Sequence, residues 1–454
     1  MPMLTKRTGR IVLITILVLA FAPLPAVAVQ VENGAFNYVV DIPEGWEILD
    51  QSNAAMISFT DPDRVAVLQV FVFQGNRFVT AEELSNWLAE RFQAETEEAP
   101  FRFNGMDSRF GNIAFSTGNF VTRGYGIYLN GQEFDYAALA TVGEEFYDAY
   151  HDRLLSALDS FGLGTEERFL PGPVSQFYYA YPPPSPEETT VPLVGGAGDA
   201  AADGDAGAAD GEITLRYDPA ELEATQTLIE REARVLAGYT PGGNDRPGEE
   251  GSRGSGEPGN GASPGRGSGA DGSPAQGAEN ESLRGRRDQG VPQWVAAWRR
   301  YFRMIYRDNY PRLEELAHTL DERFRAEGAT YYDVPERILD WLQTFEYLRT
   351  GTLSDFMAPL VAINEQQGDC DSLAMIYAIL LHHLDYEAII MVSAEYSHAM
   401  VGVDMPGKGA RFPYDGREWL VAELTVDVEI GMIDQTMSDI AGWIGVRVGE
   451  ESLK

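Results

Sequence analysis

Cys370 is the residue of this chain best suited to nucleophilic chemistry. It is the only cysteine among 454 residues, and it lies in the segment Gly368-Asp369-Cys370-Asp371-Ser372. The run that follows, Leu373 to Leu384, is apolar on almost every side, which predicts a buried helix that begins near Cys370. A cysteine at a helix N-terminus lies at the positive end of the helix dipole, which lowers the thiol pKa and favours the reactive thiolate.

A histidine and a carboxylate follow on two predicted strands. His398 lies in the alternating segment Ser397 to Val403, and Glu423 lies in the segment Glu418 to Thr425. Side chains alternate along a strand, and both residues fall outside the apolar sets Ala399, Val401, Val403 and Leu420, Ala422, Leu424. This placement permits a hydrogen bond between them. Cysteine, histidine and acid in this order form the arrangement of a cysteine-nucleophile triad.

The three side chains suggest definite roles. His398 would take the proton of Cys370, or hold it in an ion pair with the thiolate, and would later protonate the leaving amine. Glu423 would fix the imidazole tautomer and stabilise the imidazolium. The backbone N–H of Cys370, with a side-chain amide from Gln366 or Gln367, is the candidate oxyanion hole.

Carboxylates flank the cysteine on both sides and oppose its ionisation, because nearby negative charge raises a thiol pKa. Asp369 is placed to be the helix N-cap, where backbone amides would absorb its charge, so we expect a moderately depressed thiol pKa. His382 and His383 end the same helix, but adjacent residues do not share a face. No metal pair is predicted from them, and we expect no cofactor.

These segments resemble the transglutaminase-like cysteine peptidase superfamily. The matching residues are Gly368 to Ala374, Ser397-His398-Ala399 and Trp419 to Thr425. The last is similar to the family's Trp-x-x-x-Asp-x-Thr segment, with Glu423 where the family usually has Asp. The resemblance covers residues 293–448. It implies a papain/transglutaminase-like domain of helices packed on an antiparallel sheet, with predicted helices at 311–327 and 334–349 beneath the catalytic helix. The implied activity is cleavage or transfer of a protein or peptide amide through a cysteine acyl-enzyme.

Net charge limits the classes of partner, and the N-terminal segment indicates the compartment. The formal charge of −36 and the pI near 4.4 argue against a nucleic-acid partner, which needs basic patches. Basic residues, the apolar run Ile11 to Ala22 and the site Ala26-Val27-Ala28 predict a signal peptide over residues 1–28. We therefore expect an extracytoplasmic bacterial protein, periplasmic or secreted, with no membrane span after signal cleavage. In such an oxidising compartment the lone cysteine has no internal disulfide partner.

An N-terminal α/β domain is predicted over residues 31–163. Its features are a strand closed by Ile42-Pro43-Glu44-Gly45-Trp46, a helix from Thr80 to Ala94, turns at Arg123-Gly124 and Asn130-Gly131, and a last helix that ends with Asp159-Ser160-Phe161. This order resembles the PsbP-like α/β sandwich. The resemblance implies a binding or adaptor module, which would bind a protein partner.

The remaining segments complete an α+β chain whose two domains are joined by linkers. Tyr178 to Pro184 is typical of extended, polyproline-like backbone, and Asp218-Pro219 signals the start of a helix that stops at Gly238. We predict a signal peptide, a PsbP-like domain, a Pro/Gly/Ala-rich linker, a strand–helix segment, a disordered low-complexity linker and a transglutaminase-like domain at 1–28, 31–163, 164–212, 213–240, 241–290 and 293–448, respectively.

Three functions are compatible with these observations. The first, our leading interpretation, is an exported transglutaminase-like cysteine peptidase or amidase, with cell-envelope peptides as candidate substrates. The second is a catalytically inactive member of the fold that serves as an envelope binding scaffold, which the glutamate at position 423 would fit. The third places the main function in the N-terminal domain, as an adaptor, with the C-terminal domain as an accessory.

Overall fold

The structure is a computed structural model that describes residues 30–53, 55–164, 169–181, 183–193, 211–239, 283–285, 291–349 and 354–449. The predicted signal peptide and nearly all of the predicted linker 241–290 lie outside the described residues. The described part of the chain is a mixed α+β protein, as the sequence predicts. None of the helices described is both long enough and apolar enough to cross a bilayer.

A seven-stranded antiparallel sheet forms most of the N-terminal region. The elements of this region are β1 (Gln30–Asn33), β2 (Tyr38–Asp41), β3 (Glu47–Asn53), β4 (Met56–Thr60), β5 (Ala66–Gln74), α1 (Ala81–Phe92), β6 (Glu95–Phe103), β7 (Met106–Thr117), β8 (Phe120–Asn130), β9 (Phe134–Gly143), α2 (Tyr147–Asp159) and β10 (Gly162–Leu163). The large sheet has the strand order β3-β4-β5-β9-β8-β7-β6. Because alternate side chains leave opposite faces of a strand, the sheet builds one core under α1 and another under α2.

A helix, a hairpin and a long helix follow: α3 (Pro173–Tyr179), β11 (Glu187–Leu193), β12 (Gly211–Tyr217) and α4 (Pro219–Ala237). The predicted start of α4 is confirmed, because the Asp218 carboxylate accepts the Ala220 N–H at 2.9 Å. The polyproline prediction is wrong at Tyr178 and Tyr179, which are the last residues of α3. Tyr179 is buried, and packing of its ring decides the local conformation. Two strands lie in segments predicted as linkers: β11, within 164–212, pairs with β12, and β13 (Leu283–Gly285), within 241–290, pairs with β1.

The C-terminal region is built from helices on an antiparallel sheet. Its elements are α5 (Gln293–Asn309), α6 (Glu314–Ala326), α7 (Val334–Leu342), β14 (Glu346–Tyr347), α8 (Pro359–Glu365), β15 (Gln367–Gly368), α9 (Cys370–His383), β16 (Ala388–Ser393), β17 (His398–Val403), β18 (Arg411–Tyr414), β19 (Arg417–Ala422) and β20 (Ile444–Val446). The sheet order is β18-β19-β17-β16-β20. Helices α5 to α8 surround α9, which packs on β16 and β17. The most buried helix therefore carries Cys370.

Buried ion pairs join the two regions where α4 and α5 meet the N-terminal sheet domain. Arg300 of α5 donates to the backbone oxygen of Ser156 on α2 and to the carboxylate of Glu232 on α4, both at 3.0 Å. Arg231 of α4 binds Asp159 at the end of α2 at 2.6 Å. All of these side chains are buried. Buried ion pairs and hydrogen bonds thus hold the two regions together.

Candidate active site

Cys370 is the first residue of α9, as the sequence predicts. Asp369 is confirmed as the N-cap, because its carboxylate accepts the Ser372 N–H at 2.9 Å. Residues 372–381 are all buried, so the helix is fixed on every side by the core. The first-turn N–H of Cys370 has no acceptor within its own helix, which makes it a suitable donor next to the sulfur. Cys370 itself is 1% exposed.

The structure brings His398 and Glu423 together at the edge of the C-terminal sheet. Strand β17 begins at His398, and β19 ends one residue before Glu423, with Val401 opposite Ala422 in the register between them. The Nε2 atom of His398 lies 2.8 Å from Oε2 of Glu423. Because a carboxylate accepts, Nε2 carries a proton, and Nδ1 is the ring nitrogen that can take a further one.

Glu423 is held in the ionised, imidazole-binding state. It is 1% exposed, and its Oε1 accepts the backbone N–H and the hydroxyl of Thr425 at 2.8 and 2.7 Å. Burial would raise the pKa of Glu423, but the hydrogen bond and charge of His398, together with the Thr425 bonds, hold the pKa below its ordinary value. The carboxylate can therefore orient His398 and stabilise its cation.

Both faces of the site's strands are covered. The predicted apolar face is confirmed, because its residues join the main core around α9: Ala399, Val401, Val403, Leu420, Ala422 and Leu424. The opposite face forms a second, smaller core that includes Met400, Trp419, Val421 and Trp443. The Trp443 ring lies edge-on to the His398 ring, with centroids 6.3 Å apart. The His398 ring therefore lies between Trp443 of this smaller core and the carboxylate of Glu423.

The sulfur of Cys370 lies in a closed environment. It accepts hydrogen bonds from the backbone N–H of Ala399 and from Nη2 of Arg349, the latter at 3.9 Å. Burial, together with the charges of Asp371 and Asp369, raises the pKa of the thiol to about 12, and the two donors offset this rise only in part. The expected moderate depression of the thiol pKa is therefore wrong for this closed state, because loss of water around the sulfur dominates.

The side-chain amides of both glutamines predicted for the oxyanion hole donate to other acceptors. The amide of Gln366 donates to the Pro192 carbonyl oxygen of β11 at 3.1 Å. The amide of Gln367 donates to the carboxylate of Glu365. Either amide would have to leave its present acceptor to serve a carbonyl at Cys370, so the oxyanion role of these residues stays a prediction. The Cys370 N–H needs no such change.

Sequence reasoning missed the segment that touches the sulfur. The helix predicted over residues 334–349 ends at Leu342, and the chain then forms β14, which pairs in parallel with β15 directly before Cys370. The hydroxyl of Tyr347 forms hydrogen bonds with Cys370 and Arg349. β-Branched and aromatic side chains favour strands, and this signal is present in Thr344, Phe345 and Tyr347.

Asp371 is a further titratable group beside the nucleophile. Burial and the charges of Asp369 and Asp355 together raise its pKa to about 8, against the opposing charge of Arg349. Asp371 therefore keeps its proton to a higher pH than an ordinary aspartate. That protonation limits the negative charge that faces the thiol.

One of the comparisons with known proteins bears on the N-terminal region. The sequence matches no protein-family profile, and it matches no curated protein. The solution structure of cyanobacterial PsbP (CyanoP) from Synechocystis sp. PCC 6803 is similar over 32% of this chain and 97% of that chain, with 14% identity and a TM-score of 0.27. A crystal structure from Bacteroides thetaiotaomicron VPI-5482 is similar over 25% of this chain and 42% of that one, with 14% identity and a TM-score of 0.20. The N-terminal region thus has a weak structural resemblance to PsbP, at a level that carries no functional argument.

Proposed function

We propose that this chain is an exported, transglutaminase-like cysteine peptidase or amidase that cleaves or transfers an amide of a protein or peptide. The observation that carries the proposal is the 2.8 Å hydrogen bond between Glu423 and His398, the first residue of the strand β17 that packs against the helix of Cys370. A histidine oriented by a buried carboxylate is the device that activates a nucleophile. Cell-envelope peptides are the candidate substrates, and the signal-like N-terminus supports export.

The proposed reaction begins with a neutral thiol. As the sulfur attacks the carbonyl carbon, the Cys370 proton moves to Nδ1 of His398. Because the pKa of the thiol is raised to about 12, this transfer accompanies the attack instead of preceding it. The C–N bond then breaks, His398 protonates the leaving amine, and a thioester remains on Cys370. Water or a second amine, deprotonated by His398, attacks the thioester and regenerates the thiol.

Two groups would stabilise the charges that develop. The backbone N–H of Cys370 would donate to the oxyanion formed from the substrate carbonyl. Glu423 would stabilise the imidazolium, and its bonds to Thr425 keep it in place. The glutamate side chain reaches His398 because β19 ends just before it. This geometry supports Glu423 as a replacement for the family's aspartate.

The experiment that tests the proposal is a screen of the secreted-length chain, residues 29–454, against cell-envelope peptides, with mass detection of cleaved or transferred products. Wild-type protein should turn over at least one peptide amide. Cys370→Ala should lose this turnover, and a cooperative unfolding transition in this variant would show that the loss does not come from misfolding. Equal turnover by wild type and Cys370→Ala would contradict the proposal.

A second candidate function is an inactive binding scaffold. The observation that favours it is the closed sulfur, 1% exposed and with a raised thiol pKa. A scaffold would retain peptide without forming a covalent bond. An electrophilic peptide probe separates the two functions: labelling of Cys370 that His398→Ala slows supports the enzyme, and reversible peptide binding without labelling supports the scaffold. Binding that needs only residues 30–163 would instead support the adaptor role of the N-terminal region.

A further inference from the structure

The segment after α7 places two polar side chains on the nucleophile. The Tyr347 hydroxyl hydrogen bonds to Cys370, and Nη2 of Arg349 lies 3.9 Å from its sulfur. Tyr347 and Arg349 also hydrogen bond to each other. These two side chains form the outer layer over the sulfur, because both are exposed whereas Cys370 is 1% exposed.

The backbone below this layer is fixed. The Glu346 N–H donates to the Gln366 oxygen at 2.8 Å, and the Leu348 N–H donates to the Gly368 oxygen at 3.0 Å. These bonds attach the segment to the two residues on either side of Gln367, close to the start of α9. Rotation of the Tyr347 and Arg349 side chains would leave both of these backbone bonds in place.

Arg349 also contacts the histidine side of the site. Its Nη2 donates to the Ser397 backbone oxygen at 2.6 Å. Ser397 precedes His398 and has a left-handed backbone, with φ 50°, which is uncommon for a residue with a side chain. Such strained conformations persist only where surrounding contacts hold them. The guanidinium thus links the sulfur to the backbone turn that sets the start of β17.

The charges that face Cys370 come from three elements. Asp369 and Asp371 lie at the start of α9, and Asp355 adds negative charge to both. Strand β17 contributes the Ala399 N–H, and Arg349 contributes a cation from the β14 side. A thiolate formed among carboxylates needs a positive neighbour. Arg349 supplies that positive charge within hydrogen-bonding distance of the sulfur.

We propose that Tyr347 and Arg349 form a side-chain cover over Cys370, in which Arg349 also serves as counter-charge to the thiolate and as a positioning residue for His398. Substrate would displace the Tyr347 hydroxyl from the sulfur. The inference rests on the proposed role of Cys370 as nucleophile. It adds the residues that close the site and set its reactivity.

The test is the rate of alkylation by iodoacetamide, a neutral reagent, measured on the full chain between about pH 7 and 9. Tyr347→Ala should react about tenfold faster than wild type at each pH, because the cover is opened, and Tyr347→Phe should show a smaller gain. Arg349→Lys should react about tenfold faster than Arg349→Met at equal pH, since one unit of thiol pKa is a tenfold change in thiolate. Tyr332→Ala and Arg417→Met are matched controls, because Tyr332 is 59% exposed and Arg417 pairs with Asp404.

The outcomes separate this inference from the proposed function. A wild-type alkylation rate in Tyr347→Ala would overturn the cover. Equal alkylation rates in Arg349→Lys and Arg349→Met would overturn the counter-charge. Failure of the proposed function would appear differently, as a wild-type protein that forms no acyl-enzyme. If acylation persists while the four variants alkylate like wild type, the enzyme proposal stands and the cover does not.

Discussion

Buried charged groups are paired at the junction of the two regions but only partly compensated around Cys370. At the junction, burial would raise the pKa of Asp159, but the charge and hydrogen bonds of Arg231 hold the pKa below its ordinary value. Around Cys370, burial raises the pKa of both Asp369 and Asp371, and the exposed Arg349 compensates little. Fully paired charge fixes a geometry, whereas partly compensated charge leaves groups free to exchange protons.

This difference assigns separate tasks to the two regions. Where the N-terminal region meets α4 and α5, the buried arginines Arg231 and Arg300 pair with the buried carboxylates of Asp159 and Glu232. Around Cys370, the charge of Arg349 only partly offsets the raised pKa values of Asp369 and Asp371. Glu423 is the exception within the site, because His398 and Thr425 satisfy its oxygens. It should therefore behave as a fixed orienting group.

The largest effect is expected from removing the charge of Glu423. Glu423→Gln keeps the shape but permits the wrong imidazole tautomer, so the acylation rate should fall by about 10³–10⁴-fold, as measured with an activated acyl donor. The unfolding midpoint should change little by comparison. Asp427→Asn is the matched control, since Asp427 is exposed and four residues away. Full activity in Glu423→Gln together with an inactive Asp427→Asn would contradict the assignment of Glu423 as the triad acid.

The next largest effect concerns the paired charge at the junction. Arg231→Met leaves Asp159 buried without its cation, which should lower the free energy of unfolding by about 3–5 kcal/mol. Arg234→Met, on the same helix, breaks a partly exposed pair with Asp152 and should cost about 1 kcal/mol or less. Urea unfolding followed by tryptophan fluorescence measures both. Equal costs would show that the junction charges are not buried in solution.

Glu44 sharpens the comparison, because it is a buried carboxyl near Arg300 whose charge is compensated only in part. Its Oε1 is buried with no hydrogen-bond partner in the described part of the chain. Burial and the charge of Asp41 raise the pKa of Glu44 from 4.5 to about 7, against the opposing charges of Arg300 and Arg303. A carboxyl with a raised folded-state pKa gives stability below its unfolded pKa, and that stability is lost as the pH rises through the folded one.

Stability should accordingly fall between about pH 4.5 and 7, by up to about 3 kcal/mol from this group. Glu44→Gln stays neutral and should remove that part of the slope in urea-unfolding free energies. Glu144→Gln is the control, because the Glu144 side chain is 53% exposed. A pH slope that is identical in wild type and Glu44→Gln would mean that Glu44 is solvated.

The sequence predicted the elements that carry strong local signals. The capped helix from Asp218 to Gly238, the helix that begins at Cys370, and the alternating strands of His398 and Glu423 all depend on periodicity and caps. The Asn130-Gly131 turn is also confirmed, as it separates β8 from β9. These features are set by residues close in sequence, so no tertiary information was needed.

Features set by distant contacts could not be predicted in the same way. Gly124 was expected in a turn but lies within β8, where an added Cβ would come within 2.0 Å of the Ala140 oxygen on β9. The strand of Tyr347 depends on pairing with residues before Cys370, and local helix signals obscured it. The raised thiol pKa depends on burial by several elements. Each of these needed the folded structure because the decisive neighbour is remote in sequence.

The measurement that tests the central claim most directly is the pre-steady-state reaction with p-nitrophenyl acetate. If Cys370, His398 and Glu423 form a working triad, wild type should release a burst of one equivalent of nitrophenol per chain and carry an acetyl group on Cys370. The burst should be absent in Cys370→Ala and slowed by at least about 10²-fold in His398→Ala. A wild-type protein without a burst, or a burst that His398→Ala leaves unchanged, would contradict the account.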